Sequence, residues 1–102
     1  MQPIITENRD KIIELCRQHH VRRLSVFGSV TRDDFDPERS DVDLLVEFEE
    51  LPYPDSVDNY WEMRDKLTSL FARPVDLVRE RFIRNPYLLR EIHAEQETLY
   101  AA

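Results

Sequence analysis

The 102 residues contain a single glycine, Gly28. A chain that uses glycine once places it where a side chain is not tolerated, at a sharp turn or where the backbone meets something closely. Gly28 ends the short apolar run Arg23 to Phe27, in which Leu24 and Val26 share one face, and Ser29 follows it. After eleven intervening residues, Ser29 is followed by Asp41-Val42-Asp43, at the head of the clearest strand in the chain. From Val42 to Phe48, the residues Val42, Leu44, Val46 and Phe48 alternate with Asp43, Leu45 and Glu47, the period of a strand with one buried face. Two aspartates two residues apart point to the same side of a strand, about 6.6 Å apart along it. Such a pair is costly unless something positive sits between its members.

The rest of the pattern completes an α/β order. Residues 5–19 read as a helix with Thr6 as its cap and Ile5, Ile12, Leu15 and Cys16 as its apolar stripe. Val30 to Asp33 reads as one helical turn, and Asp33 to Ser40, acidic and containing Pro37, as a loop. After Pro52 and Pro54, a helix capped by Asp55 or Ser56 extends to about Phe71. Its stripe is Val57, Tyr60, Trp61, Leu67, Leu70 and Phe71, with Trp61 as a core anchor. Residues 74–78 form a third strand, reached by a crossover. Asn85-Pro86 opens a last helix with Leu88, Leu89 and Ile92 on its apolar face. Residues 97–100 extend that helix or form an edge strand. The expected fold is α/β (α+β): one domain over residues 1–102, a small mixed sheet of three to four strands flanked by helices.

Composition narrows the function. The net charge of −7 argues against a general nucleic-acid-binding face. No apolar run is long enough to cross a bilayer. One cysteine, Cys16, forms no internal disulfide, which suits a reducing, cytoplasmic setting, and it reads as a core residue. Nine carboxylates lie between Asp33 and Glu50, of which Glu47, Glu49 and Glu50 read as a solvated face. Arg79, Arg81 and Arg84 form a basic patch for phosphates or for an acidic partner, or simply a solvated helix start.

Asp41 and Asp43 suit magnesium, which takes a few carboxylates, waters and nucleotide phosphate oxygens. Asp76 sits between Val75 and Leu77 in the third strand, where an isolated acid is unexpected. If that strand lies beside the second, three carboxylates share a face and could hold two metals. The alternative is an ion pair of Asp76 with Arg73, Arg79 or Arg81. Gly28 and Ser29 suit close approach to phosphate, with Arg32 as a further cation. Neither a Walker loop nor a dinucleotide-binding glycine fingerprint is present.

Val26-Phe27-Gly28-Ser29, Arg32, Ser40-Asp41-Val42-Asp43-Leu44 and Pro74-Val75-Asp76-Leu77-Val78 together resemble the DNA polymerase beta-like nucleotidyltransferases, and most of all the minimal nucleotidyltransferases, or MNT-domain proteins. The likeness spans about residues 21–100. It implies two Mg²⁺ ions on Asp41, Asp43 and Asp76, with Asp76 holding the metal on the attacking hydroxyl. It also implies that Gly28, Ser29 and Arg32 bind the triphosphate of ATP. The family often has a second glycine after this arginine, where the chain has Asp33. Many such proteins are antitoxins of type VII HEPN/MNT toxin–antitoxin pairs, which transfer AMP from ATP to a tyrosine of a HEPN ribonuclease toxin. The resemblance therefore implies an adenylyltransferase in a hetero-oligomer with its toxin. A non-catalytic antitoxin that blocks the toxin by binding is the alternative. A small-molecule nucleotidyltransferase would need an acceptor pocket for which so short a chain shows no segment.

Overall fold

The computed structural model describes residues 2–32, 35–36 and 38–102. The elements are α1 (Pro3–Thr6), α2 (Arg9–Gln18), β1 (Val21–Phe27), β2 (Val42–Phe48), α3 (Asp55–Phe71), β3 (Val75–Arg79), α4 (Pro86–Glu95) and β4 (Glu97–Ala101). Short 3₁₀ turns span Gly28–Thr31 and Glu80–Phe82. The strands form one sheet in the order β3-β2-β1-β4. β1 runs antiparallel to both β2 and β4, while β2 and β3 are parallel and joined through α3. The mixed sheet of three to four strands is therefore present, and residues 97–100 belong to an edge strand.

The period-two pattern produces the core directly. Leu24 and Val26 of β1 pair with Val46 and Leu44 of β2, and Leu44 pairs in turn with Leu77 of β3. All five are buried, together with Ile5, Ile12 and Cys16 from the amino-terminal helices and Met63, Leu67 and Phe71 from α3. Burial pushes the Cys16 thiol up to about 12, so it is an inert core group. By alternation, Asp43 and Leu45 lie on the opposite face of β2 from Leu44 and Val46.

Several expectations need correction. The amino-terminal helix is two helices broken at Glu7 and Asn8. Thr6 ends α1 rather than capping a helix, its hydroxyl donating to the Pro3 carbonyl, and Asn8 donates to the Ile4 carbonyl across the break. Pro54 stands at the cap of α3, and Asp55 is already its first residue. Trp61 is not a core anchor: it is 51% exposed, and Val57 is also exposed. Met63 is buried instead: Leu67 and Phe71 of the expected stripe are in the core with Tyr60 and Leu70 packed against it, and only its Val57–Trp61 edge turns outward. Leu88 is exposed too, leaving Ile92 as the buried residue of α4. Asn85 does cap α4, accepting from the Tyr87 and Leu88 amides. The loop residues Asp33 and Pro37 lie outside the described residues.

His19 is a buried polar anchor. Its ring meets Asn59 Oδ1 at 3.1 Å and Lys66 Nζ at 3.0 Å, while Asn59 donates to the His19 carbonyl. These contacts tie the end of α2 to α3. Burial, the largest cause, holds its pKa below the usual histidine value, so it is neutral at physiological pH.

Candidate active site

The end of β1 and the start of β2 are brought together by antiparallel pairing, which sets Phe27 opposite Asp43. The next residue, Gly28, turns the chain with φ +74°, in the left-handed region. A Cβ at this position would lie 2.3 Å from Asp43 Oδ2 and 3.2 Å from its Cγ. The lone glycine is thus required twice, for backbone conformation and for the space that the Asp43 carboxylate occupies.

Ser29 follows inside the 3₁₀ turn, which is closed by the Arg32 amide donating to the Ser29 carbonyl and the Thr31 hydroxyl donating to the Gly28 carbonyl. The helical turn read from Val30 to Asp33 therefore begins two residues earlier and ends at Thr31.

Asp76 stands directly beside Asp43 in the parallel register of β2 and β3. Neighbouring strands are about 4.8 Å apart, so the two acids project from adjacent positions on one face. A backbone hydrogen bond from the Val42 amide to the Pro74 carbonyl fastens the two strand starts together. Asp41 precedes β2 by one residue. Among the described residues, Asp76 forms no ion pair with Arg73, Arg79 or Arg81. The structural alternative for this acid is not realised.

The electrostatics record the crowding. Asp43 is pushed up to about 6, first by burial and then by the charges of Asp76, Asp41 and Glu95, with Arg32 opposing. The acids are close enough to repel one another, but among the described residues no three His, Cys, Asp or Glu side chains are gathered closely enough to hold a metal ion together. Hard oxygen donors, mutual repulsion and the room that Gly28 leaves for the Asp43 carboxylate together fit a divalent oxygen-seeking cation.

Glu95, at the end of α4, escaped the sequence reading. Its Oε1 accepts the Gly28 amide at 2.9 Å, and its Oε2 meets Arg32 Nη1 at 2.9 Å. One carboxylate thus bridges the glycine turn and the arginine assigned to triphosphate binding. The only local hint was an acid at the negative end of a helix dipole, an unfavourable place without a partner. The partner lies 67 residues away in sequence.

The basic patch divides. Arg79 ends β3, so it is not part of a solvated helix start, whereas Arg81 and Arg84 are exposed.

The strand-end glycine turn thus faces acids that lie in register on two parallel strands. A family model for the nucleotidyltransferase domain matches residues 9–99. The chain belongs to this family and is a nucleotidyltransferase. It is 38% identical over 82 residues to the protein adenylyltransferase MntA of Thermococcus cleftensis, covering 78% of this chain and 79% of the relative. It is 34% identical over 98 residues to a Methanocaldococcus jannaschii protein assigned by name as a protein adenylyltransferase, covering 88% and 94%. A solved structure described as a minimal nucleotidyltransferase superposes with a TM-score of 0.76 at 33% identity, covering 91% of this chain and 90% of that one. A crystal structure of a toxin–antitoxin with AMP-PNP superposes with a TM-score of 0.70 at 26% identity, covering 93% and 74%.

Proposed function

We propose that the protein is the antitoxin of a type VII HEPN/MNT pair, acting as a Mg²⁺-dependent adenylyltransferase that moves AMP from ATP to a tyrosine of its HEPN toxin. The observation that carries the reading is the contact of the Gly28 turn with Asp43, with Asp76 alongside in register. The naming of relatives as protein adenylyltransferases and the toxin–antitoxin fold neighbour holding an ATP analogue support the substrate and the partner.

In this reading the Gly28–Ser29 turn receives the triphosphate, and Arg32 faces its charge. Asp41 and Asp43 would hold one magnesium and share the other with Asp76. Magnesium, when bound, neutralises the triphosphate and lowers the pKa of the attacking hydroxyl. Asp76 orients the tyrosine hydroxyl and accepts its proton, which then passes to solvent. The tyrosine oxygen forms a bond to the α-phosphorus of ATP. The bond from that phosphorus to the oxygen bridging the α- and β-phosphates breaks, and pyrophosphate departs with the electron pair. Positioning and charge stabilisation provide most of the catalysis in such transfers.

The test is incorporation of label from α-³²P-ATP into the cognate HEPN protein. The wild type is expected to label it only with Mg²⁺, and Asp41→Asn with Asp43→Asn to reduce labelling at least about 100-fold. Labelling that survives the double substitution overturns the reading. Full neutralisation of the toxin by an unlabelling double variant would favour the alternative, an antitoxin that acts by binding.

A further inference from the structure

The transfer chemistry uses Asp41, Asp43 and Asp76 and has no step for Glu95, although two parts of the nucleotide site close on this side chain. Its Oε1 accepts the Gly28 amide and its Oε2 accepts from Arg32 Nη1, both at 2.9 Å. Both bonds involve an ionised group, and the Glu95 side chain is 33% exposed, so they are stronger than a neutral pair and partly screened from water.

Glu95 arrives from a fixed direction. It is the last residue of α4, a helix capped by the Asn85 side chain and anchored by the buried Ile92. His93 Nε2 meets Glu80 Oε1 at 2.5 Å in the turn after β3, and the Gln96 amide closes the helix on the Ile92 carbonyl. The helix dipole disfavours a carboxylate at this end. The two donors offset that cost.

What Glu95 holds needs holding. Glycine by itself imposes no particular φ, so the +74° of Gly28 depends on contacts from outside the residue. The Thr31 hydroxyl fastens the Gly28 carbonyl, and Glu95 fastens its amide. The same conformation leaves the room that the Asp43 carboxylate occupies. Arg32 is held along its backbone as well, its amide donating to the Ser29 carbonyl and its carbonyl accepting from Gln2 Nε2. Glu95 adds the direction of its guanidinium.

A carboxylate in this place invites the opposite role, a plug that a triphosphate must displace. Two observations favour a support. A guanidinium offers five N–H donors, and one carboxylate oxygen orients it without exhausting it. A displaced Glu95 would also keep its charge beside Asp43, on which it already presses, with neither donor to compensate it.

We propose that Glu95 is a positioning residue for the nucleotide, fixing the Gly28 turn and aiming the Arg32 guanidinium, and that it stays bonded to both when Mg-ATP binds. The proposal rests on the reading of Gly28, Ser29 and Arg32 as the triphosphate site, but not on the identity of the acceptor. With its amide committed to Glu95, Gly28 contributes shape, and the donors of the turn begin at Ser29.

The experiment measures Mg-ATP affinity by calorimetry and the kinetics of label transfer to the full-length HEPN protein, for the wild type, Glu95→Ala and Glu95→Gln. Glu95→Ala is expected to weaken Mg-ATP binding and raise KM for ATP at least about 10-fold, with KM for the HEPN protein within twofold of wild type. Glutamine keeps an oxygen for the Gly28 amide but no charge for Arg32. Glu95→Gln should therefore restore most of the kcat lost in Glu95→Ala while KM for ATP stays several-fold raised. Because the chain has one glycine, ¹⁵N-glycine labelling follows the Gly28 amide. Its proton should resonate downfield in the wild type, move upfield in Glu95→Ala, and keep its downfield place when Mg-ATP is added. A Glu95→Ala variant that melts lower but binds Mg-ATP within twofold of wild type overturns the proposal, since Glu95 is then merely structural. Tighter Mg-ATP binding by that variant, or a Gly28 amide that moves upfield when Mg-ATP is added to the wild type, identifies a plug and overturns it too. Should Glu95→Ala fail to fold, an unchanged KM for ATP in Glu95→Gln overturns it alone. If the wild type binds Mg-ATP but never labels the HEPN protein, the acceptor assignment fails, and a tenfold affinity loss in Glu95→Ala still supports the positioning role. A wild type that binds no Mg-ATP removes the nucleotide site and the proposal with it.

Discussion

Gly28→Ala is expected to lower transfer at least about 100-fold and to reduce Tm by roughly 5–10 °C. The two losses have different origins. An alanine at φ +74° bears a left-handed strain of about 1–2 kcal/mol, which the glycine does not. The added Cβ also lies 2.3 Å from Asp43 Oδ2, so the carboxylate must rotate away. Rotation is mechanically easy, because the clash is with the far end of a side chain, but it turns the acid from its in-register neighbour Asp76. Stability therefore falls moderately and activity falls steeply. Calorimetry and the labelling assay check the pair. An unchanged Tm with transfer within threefold of wild type would contradict the geometry at this turn.

Asp43→Asn is expected to separate stability from activity in the opposite direction. In the folded protein the Asp43 pKa is raised from 3.8 to about 6. The folded state thus holds a proton that the unfolded chain has released. The stabilisation from this proton is fully present below 3.8 and is lost as pH rises through about 6. At pH 8, with EDTA present, the variant should melt a few degrees above wild type, since one repelling charge has been removed. The advantage should vanish near pH 4. Titration of His19 opposes this trend below pH 6.5, because its folded pKa is depressed, but both proteins carry it and it cancels in the difference. Mg-ATP should raise the wild-type Tm by mass action and leave the variant nearly unmoved. A variant less stable than wild type at pH 8, or one stabilised equally by Mg-ATP, would count against the acid cluster.

Local chemistry made part of this molecule legible in its sequence. Val42 to Phe48 announces its strand by strict alternation, and Gly28, Asp43 and Asp76 announce themselves as residues misplaced in apolar runs. Their meeting follows from two pairings, of which the sequence suggested only the one between the second and third strands, through the crossover. Glu95 was not legible, because its partners Gly28 and Arg32 reach it only after the chain returns through α4. His19 was not legible either, since its partners Asn59 and Lys66 lie a full element away. Trp61 misled for another reason. Helical period admits neighbouring stripes on α3, and the choice between Trp61 and Met63 is made by the sheet beneath. Arg79 looked like one more charge in a basic run, and its place over the rings of Phe48 and Tyr60 distinguishes it from Arg81, which shares only Phe82 with it, and from Arg84.

The parallel register of β2 and β3 also sets which lengths of chain are free to vary. Asp43 and Asp76 are separated by 33 positions, yet their apposition depends only on the ladder between two strands. Residues added in the connection before α3 leave that ladder intact, so this stretch is a natural place for lineage-specific insertions. A single residue deleted within β3 ahead of Asp76 would instead carry the acid to the opposite side of the sheet. Length is cheap between the strands and prohibitive within them.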